Sequence, residues 1–127
     1  VAHFERDALL RQAEESANSL GFTPDLLLLH WPKVKPSIPD TIAALNEAME
    51  RGLTRSIGVS NYPAAQFRLA QAASSARIIT NQVEYHPYLS LKTLRATAAE
   101  LGSSITAWSP LAQGQIADDP VIGEIAA

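Results

Sequence analysis

Short apolar runs alternate along the chain with longer stretches in which apolar positions recur at helical spacing. The most apolar run is Leu26-Leu27-Leu28-Leu29, entered by Asp25 and left by His30-Trp31-Pro32. It is too short for an independent helix and reads as a strand buried on both faces. Three later runs resemble it: Ser56-Ile57-Gly58-Val59 ending at Ser60-Asn61, Ile78-Ile79-Thr80-Asn81-Gln82-Val83 running to Glu84, and Ser104-Ile105-Thr106-Ala107-Trp108 ending at Ser109-Pro110. Each finishes in polar groups.

Helical patterns fill the intervals. Between Arg6 and Leu20, the residues Leu9, Leu10, Ala13, Ala17 and Leu20 fall at spacings of three and four, and Gly21 follows as a left-handed cap. A second stripe, Ile42, Leu45, Ala48 and Met49, starts from Ser37 or Asp40 and closes at Gly52. Pro63 opens a third helix through Phe67, Leu69 and Ala73. Ser90 is the expected cap of a fourth, carrying Leu91, Leu94, Ala98 and Leu101 before Gly102, and Asp119-Pro120 starts a fifth.

The strand ends near residues 30, 60, 84 and 109 recur roughly every 25 to 30 positions, the length of a parallel strand plus its crossover helix. Both a doubly wound sheet and a barrel have this period. No Gly-rich phosphate loop follows any strand, and polar groups end all four strands instead of marking one switch point, which favours the barrel. A complete (β/α)8 barrel takes about 250 residues. The 127 residues here are therefore expected to form a single partial domain over 1–127, an α/β fold with a parallel sheet making about half a TIM-type barrel.

Composition narrows the chemistry. With 13 acidic against 10 basic side chains and a net charge of −3, no broad basic face is available for nucleic acid. No window approaches a membrane span and the first residues lack a secretion signal, so a cytoplasmic location is expected. Having no cysteine, the chain lacks disulfides, thiolate nucleophiles and Cys-ligated metals.

His30 directly follows the leucine run. Buried and neutral, it would suit donation to a carbonyl oxygen or assistance in proton transfer; alternatively it ties a strand end to a neighbouring carbonyl. Ser60, Asn61 and Gln82 are singly explained as caps or satisfied core polar groups. Together, hydroxyl and amide groups at successive strand ends complement a planar carboxamide. Trp108 is either a core ring or a platform for a flat heterocycle. His30, Glu84 and His86 form a rival set that would hold Zn²⁺ in a barrel hydrolase. Pro87 after His86 suggests instead a loop with an exposed or capping imidazole, and His3 reads as solvated.

Four ordered segments then become specific: Asp25 to Pro32, Gly52 to Asn61, Asn81 to Tyr88, and Ala107-Trp108-Ser109-Pro110-Leu111. Together they resemble the aldo-keto reductase superfamily, and within it bacterial enzymes of the diketogluconate-reductase type, which also carry Trp before the turn. The resemblance implies strands four to seven of a (β/α)8 barrel that reduces aldehydes or ketones with NADPH, or alternatively NADH. It places His30 as the histidine that orients the substrate carbonyl. It places Ser60, Asn61 and Gln82 on the nicotinamide carboxamide, Trp108 on the ring, Ser109 and Leu111 along the pyrophosphate, and Trp31 beside the substrate.

The general-acid tyrosine of that family, with its lysine and aspartate, belongs to strand regions before Val1, and the adenosine-phosphate grip lies past Ala127. Tyr62, Tyr85 and Tyr88 lie in other motifs. The resemblance thus implies a parent reductase, expected to be monomeric, and a chain of little activity alone, which either self-associates or docks with the remaining barrel segments. The same superfamily includes nonenzymatic subunits that bind cofactor and regulate a partner.

Overall fold

The computed structural model describes residues 2–127, with side chains from Glu5 onward, so the expectation for His3 lies outside the described residues. Helix α1 (Ala2–Leu20) precedes β1 (Leu27–Leu29), α2 (Ile38–Glu50), β2 (Ile57–Ser60), α3 (Ala64–Ala73), β3 (Ile78–Glu84), α4 (Lys92–Glu100) and β4 (Ser104–Trp108). A 3-10 segment (Ala112–Asp118) and α5 (Pro120–Ala126) follow. The sheet is parallel throughout, in the order β1-β2-β3-β4.

That order decides between the two topologies left open above. When each parallel strand is laid beside its predecessor by a right-handed crossover, every connecting helix lands on the same face. Ile42 and Leu45 of α2, Phe67 and Ala70 of α3 and Ala98 of α4 share one core with Ile57, Val59 and Ile78. Each such fully buried large side chain contributes about 1.5–3 kcal/mol relative to exposure. The arrangement is that of four consecutive units of a (β/α)8 barrel. In α1, Leu10 and Ala13 pack on Ala48 of α2, and Arg6 Nε donates to Glu47 Oε2 at 2.7 Å across the same seam.

Local signals account for most boundaries. Gly21 takes φ +74° at the end of α1, a turn that glycine makes without strain. Ser37 Oγ accepts from the Asp40 N–H at 3.3 Å to start α2, and Asp119 accepts from the Val121 and Ile122 N–H groups to start α5. At α4 the expectation fails: Leu91, not Ser90, occupies the cap position, with φ −101° and ψ 30°, and no side chain caps the helix. Leu69 also departs from its expected stripe and is exposed, because α3 turns only Phe67 and Ala70 fully inward.

The leucine run is not buried on both faces. It is half-buried, since among the described residues β1 pairs only with β2 and stands at the sheet edge. No helix among the described residues is long and apolar enough to cross a membrane.

Candidate functional site at the strand ends

Opposite the helices, the sheet presents a second face built from alternate strand positions. A Cβ on Gly58 would meet the Leu28 side chain and lie 3.1 Å from both Thr80 Cγ2 and the Thr80 carbonyl oxygen, so these residues share this face. Thr80 and Thr106 hydroxyls join across β3 and β4 at 2.7 Å. Register pairing sets Ser60 beside Gln82 and Gln82 beside Thr106. This face is polar at its carboxyl end, where the expected site residues lie.

Asn61 organises that end. Its backbone is left-handed at φ +63°, an uncommon conformation that asparagine tolerates better than most residues. Its N–H donates to the Gln82 carbonyl at 2.9 Å. Its side-chain Nδ2 donates to the His30 carbonyl at 2.9 Å and to Ser60 Oγ at 3.0 Å, while Oδ1 accepts from Trp108 Nε1 at 3.0 Å. Ser60 Oγ donates in turn to the Gln82 carbonyl at 2.7 Å. The structure therefore brings Ser60, Asn61, Gln82 and Trp108 together.

The groups are not equally available. Ser60 is buried and Asn61 spends both of its N–H donors within the chain. These bonds use the backbone of Gln82 and leave its half-exposed carboxamide, a donor and an acceptor in one plane, unspent among the described residues. Trp108 is half-buried. Sequence reasoning treated its ring as a stacking surface and missed its indole N–H as a donor to Asn61.

His30 joins the cluster through its backbone carbonyl. The imidazole is exposed, and among the described residues β1 stands at the edge of the sheet. It stands against Trp31, ring centroids 6.0 Å apart and tilted by 47°. Both residues border a cavity of about 510 Å³ whose far wall is α1, with Gln12, Lys33 and Leu45 among its lining. Trp31 is 57% exposed there.

The Zn²⁺ set does not assemble. Among the described residues no three His, Asp or Glu side chains gather, since His30 lies at β1, two strands from β3. Glu84 and His86 meet alone, Oε1 to Nε2, at 3.5 Å. His86 is neither exposed nor a cap: its side chain is only 11% exposed and its buried Nδ1 has no partner among the described residues.

Past β4, Ser109 is left-handed at φ +53°, and its carbonyl accepts from the Ala112 N–H at 2.9 Å. Ala112 and Gln113 are left-handed as well, so three non-glycine residues in this short stretch carry positive φ. Leu111 projects outward between them, 61% exposed. These two expected cofactor neighbours stand on the segment that leaves the Trp108 strand end.

The aldo/keto reductase family model matches residues 1–123. The chain belongs to the aldo/keto reductase family. Relatives of this family include the methylglyoxal reductase DkgB of Escherichia coli O157:H7, 38% identical over 131 residues that take in 100% of this chain and 49% of the relative. The glyoxal reductase of Bacillus subtilis (strain 168) is 40% identical over 102 residues, 80% of this chain and 37% of its own. A solved structure provisionally assigned as a 2,5-diketo-D-gluconic acid reductase B superposes with a TM-score of 0.91 at 42% identity, over 94% of this chain and 43% of that one. A Gox0644 variant solved in complex with NADPH has a TM-score of 0.85 at 34% identity, over 94% and 45%. This family member spans about half the length of the curated relatives it matches.

Proposed function

We propose that the chain forms the nicotinamide-binding and carbonyl-orienting part of an NADPH-dependent reductase of small aldehydes and ketones. The observation that carries this is the unspent carboxamide of Gln82, held beside the fixed Ser60–Asn61 pair and Trp108 at adjacent strand ends. An amide that offers one donor and one acceptor in a plane matches a nicotinamide carboxamide group for group. The remaining lone pair of Asn61 Oδ1 adds an acceptor. Homologues named for methylglyoxal and glyoxal suggest α-oxoaldehydes as the substrate class.

A reduced nicotinamide supplies hydride to the carbonyl carbon. The residues of this chain orient the ring through its carboxamide, cover one side with the Trp108 indole, and present the His30 imidazole and Trp31 where the carbonyl would stand. What they do not offer is a phenolic acid beside His30. The Tyr62 ring is in the core and burial pushes its hydroxyl up to about 12. The Tyr88 hydroxyl is bound to Asp119 at 2.7 Å, and no tyrosine lines the cavity that His30 borders. Positioned general acids contribute about 10² to 10⁴-fold, so the 127-residue chain binds cofactor while turning over slowly.

Titration of the purified chain with NADPH, followed by nicotinamide fluorescence, tests the first part; Gln82→Ala is the control. Saturable binding lost in the variant is expected, and no binding by the unmutated chain overturns the proposal. Methylglyoxal reduction at full reductase rates would overturn the second part.

A further inference from the structure

The side-chain amide of Asn61 is held between two groups of one-way chemistry. On one side stands the His30 carbonyl, which only accepts, and on the other the Trp108 indole N–H, which only donates. Turning the amide over would set oxygen against oxygen at His30 and N–H against N–H at Trp108. Its orientation is therefore fixed by neighbours far apart in sequence. Through its backbone N–H, residue 61 also holds the Gln82 carbonyl. One residue of β2's end thus bonds to the ends of β1, β3 and β4.

Resting on the cofactor reading above, we propose that Trp108 is a positioning residue for the nicotinamide site, acting through its indole N–H on the amide of Asn61. The indole withdraws one lone pair of Oδ1 and aims the amide N–H groups away from the ligand, at His30 and Ser60. The second lone pair of Oδ1 and the carboxamide of Gln82 are then the groups left to meet a ligand amide. A phenylalanine at 108 would keep an aromatic face and lose this control. The contribution of Trp108 is accordingly divisible into a ring part and an N–H part, and only the second passes through Asn61.

Two variants separate these parts. Trp108→Phe removes the N–H and keeps a ring; Asn61→Gly removes the amide and keeps a residue at home at φ +63°. In the cofactor-free chain, proton exchange at the Trp108 indole should be at least about tenfold slower than at Trp31, the protection of one hydrogen bond, and Asn61→Gly should erase the difference. With NADPH, Trp108→Phe should weaken binding roughly tenfold in the parent chain and less than about twofold in the Asn61→Gly background, as coupled residues do.

Equal weakening in both backgrounds, or indole exchange indifferent to Asn61→Gly, overturns the proposal. Failure of the unmutated chain to bind NADPH overturns the cofactor reading and the cofactor half of this one. The exchange comparison then still decides whether Trp108 fixes Asn61.

Discussion

The side-chain amide of Asn81 pairs with the backbone of Tyr62 at both ends: Nδ2 donates to the Tyr62 carbonyl at 2.8 Å and Oδ1 accepts from the Tyr62 N–H at 3.3 Å. Asn81 is fully buried on the helix side of the sheet, so it stitches the chain leaving β2 to the middle of β3. Asn81→Ala leaves two backbone groups without partners in the core. At about 1–3 kcal/mol for each orphaned group, a loss of about 2–6 kcal/mol is expected in urea unfolding. A change below about 0.5 kcal/mol would show that water replaces the amide.

Gly58→Ala tests the ligand face. The added methyl group meets the flexible tip of Leu28 and, less yieldingly, the Thr80 carbonyl at 3.1 Å. A cost of about 1–2 kcal/mol is expected, at the lower end for overpacking. Shortening the neighbour with Leu28→Ala should recover part of it in a double-mutant cycle, because only the two contacts with Thr80, through Cγ2 and the carbonyl, then remain.

Acid should loosen the α1–α2 seam. Hydrogen bonding from Arg6, helped by Arg51, holds the Glu47 carboxyl below its ordinary value. Since the folded-state value is depressed, the stabilisation is present above the unfolded-state value and is lost as pH falls through the folded one. Comparing urea midpoints at about pH 7 and about pH 3, within which carboxylates titrate, should show a smaller drop for Glu47→Gln than for the parent. An equal drop would assign the acid sensitivity to other carboxylates.

The loop after β3 is tied to the last helix. Tyr88 donates to Asp119 Oδ2 at 2.7 Å, while Asp119 Oδ1 accepts from the first N–H groups of α5. Asp119→Ala should cost about 1 kcal/mol of local stability, the usual value of such a cap, seen as faster amide exchange over residues 120–126. Tyr88→Phe should leave that cap in place and speed exchange less.

Much of the fold is legible in the sequence. The bounds of β3 and β4 follow from their apolar runs, and the repeat of strand ends near 30, 60, 84 and 109 describes a parallel α/β unit. What escaped was position within the sheet. Four leucines in a row look alike at a centre and at an edge, so the half-burial of β1 among the described residues is not legible in the run itself.

Site legibility divides the same way. Ser60, Asn61, Gln82 and Trp108 are singled out in the sequence by residue type at strand ends, and the structure gathers all four. Which polar atoms face outward was not recoverable, since it depends on the bond from Trp108 to Asn61 across 47 positions. The structural duty of Asn81 was hidden for a related reason. It adjoins Gln82 in sequence yet points to the opposite side of the strand, where its partner is a backbone.

The alternation of faces along the strands has a practical consequence for anyone altering this protein. Ile57, Val59, Ile78 and Asn81 sit on one side and Gly58, Thr80, Gln82 and Thr106 on the other. Folding and the proposed ligand recognition thus occupy neighbouring positions in the same short segments. Because one extra residue in β3 between Ile78 and Asn81 resets the alternation, a library has to follow the face and not every second residue: Gly58, Thr80, Gln82 and Thr106 can be varied while Ile57, Val59, Ile78 and Asn81 stay untouched.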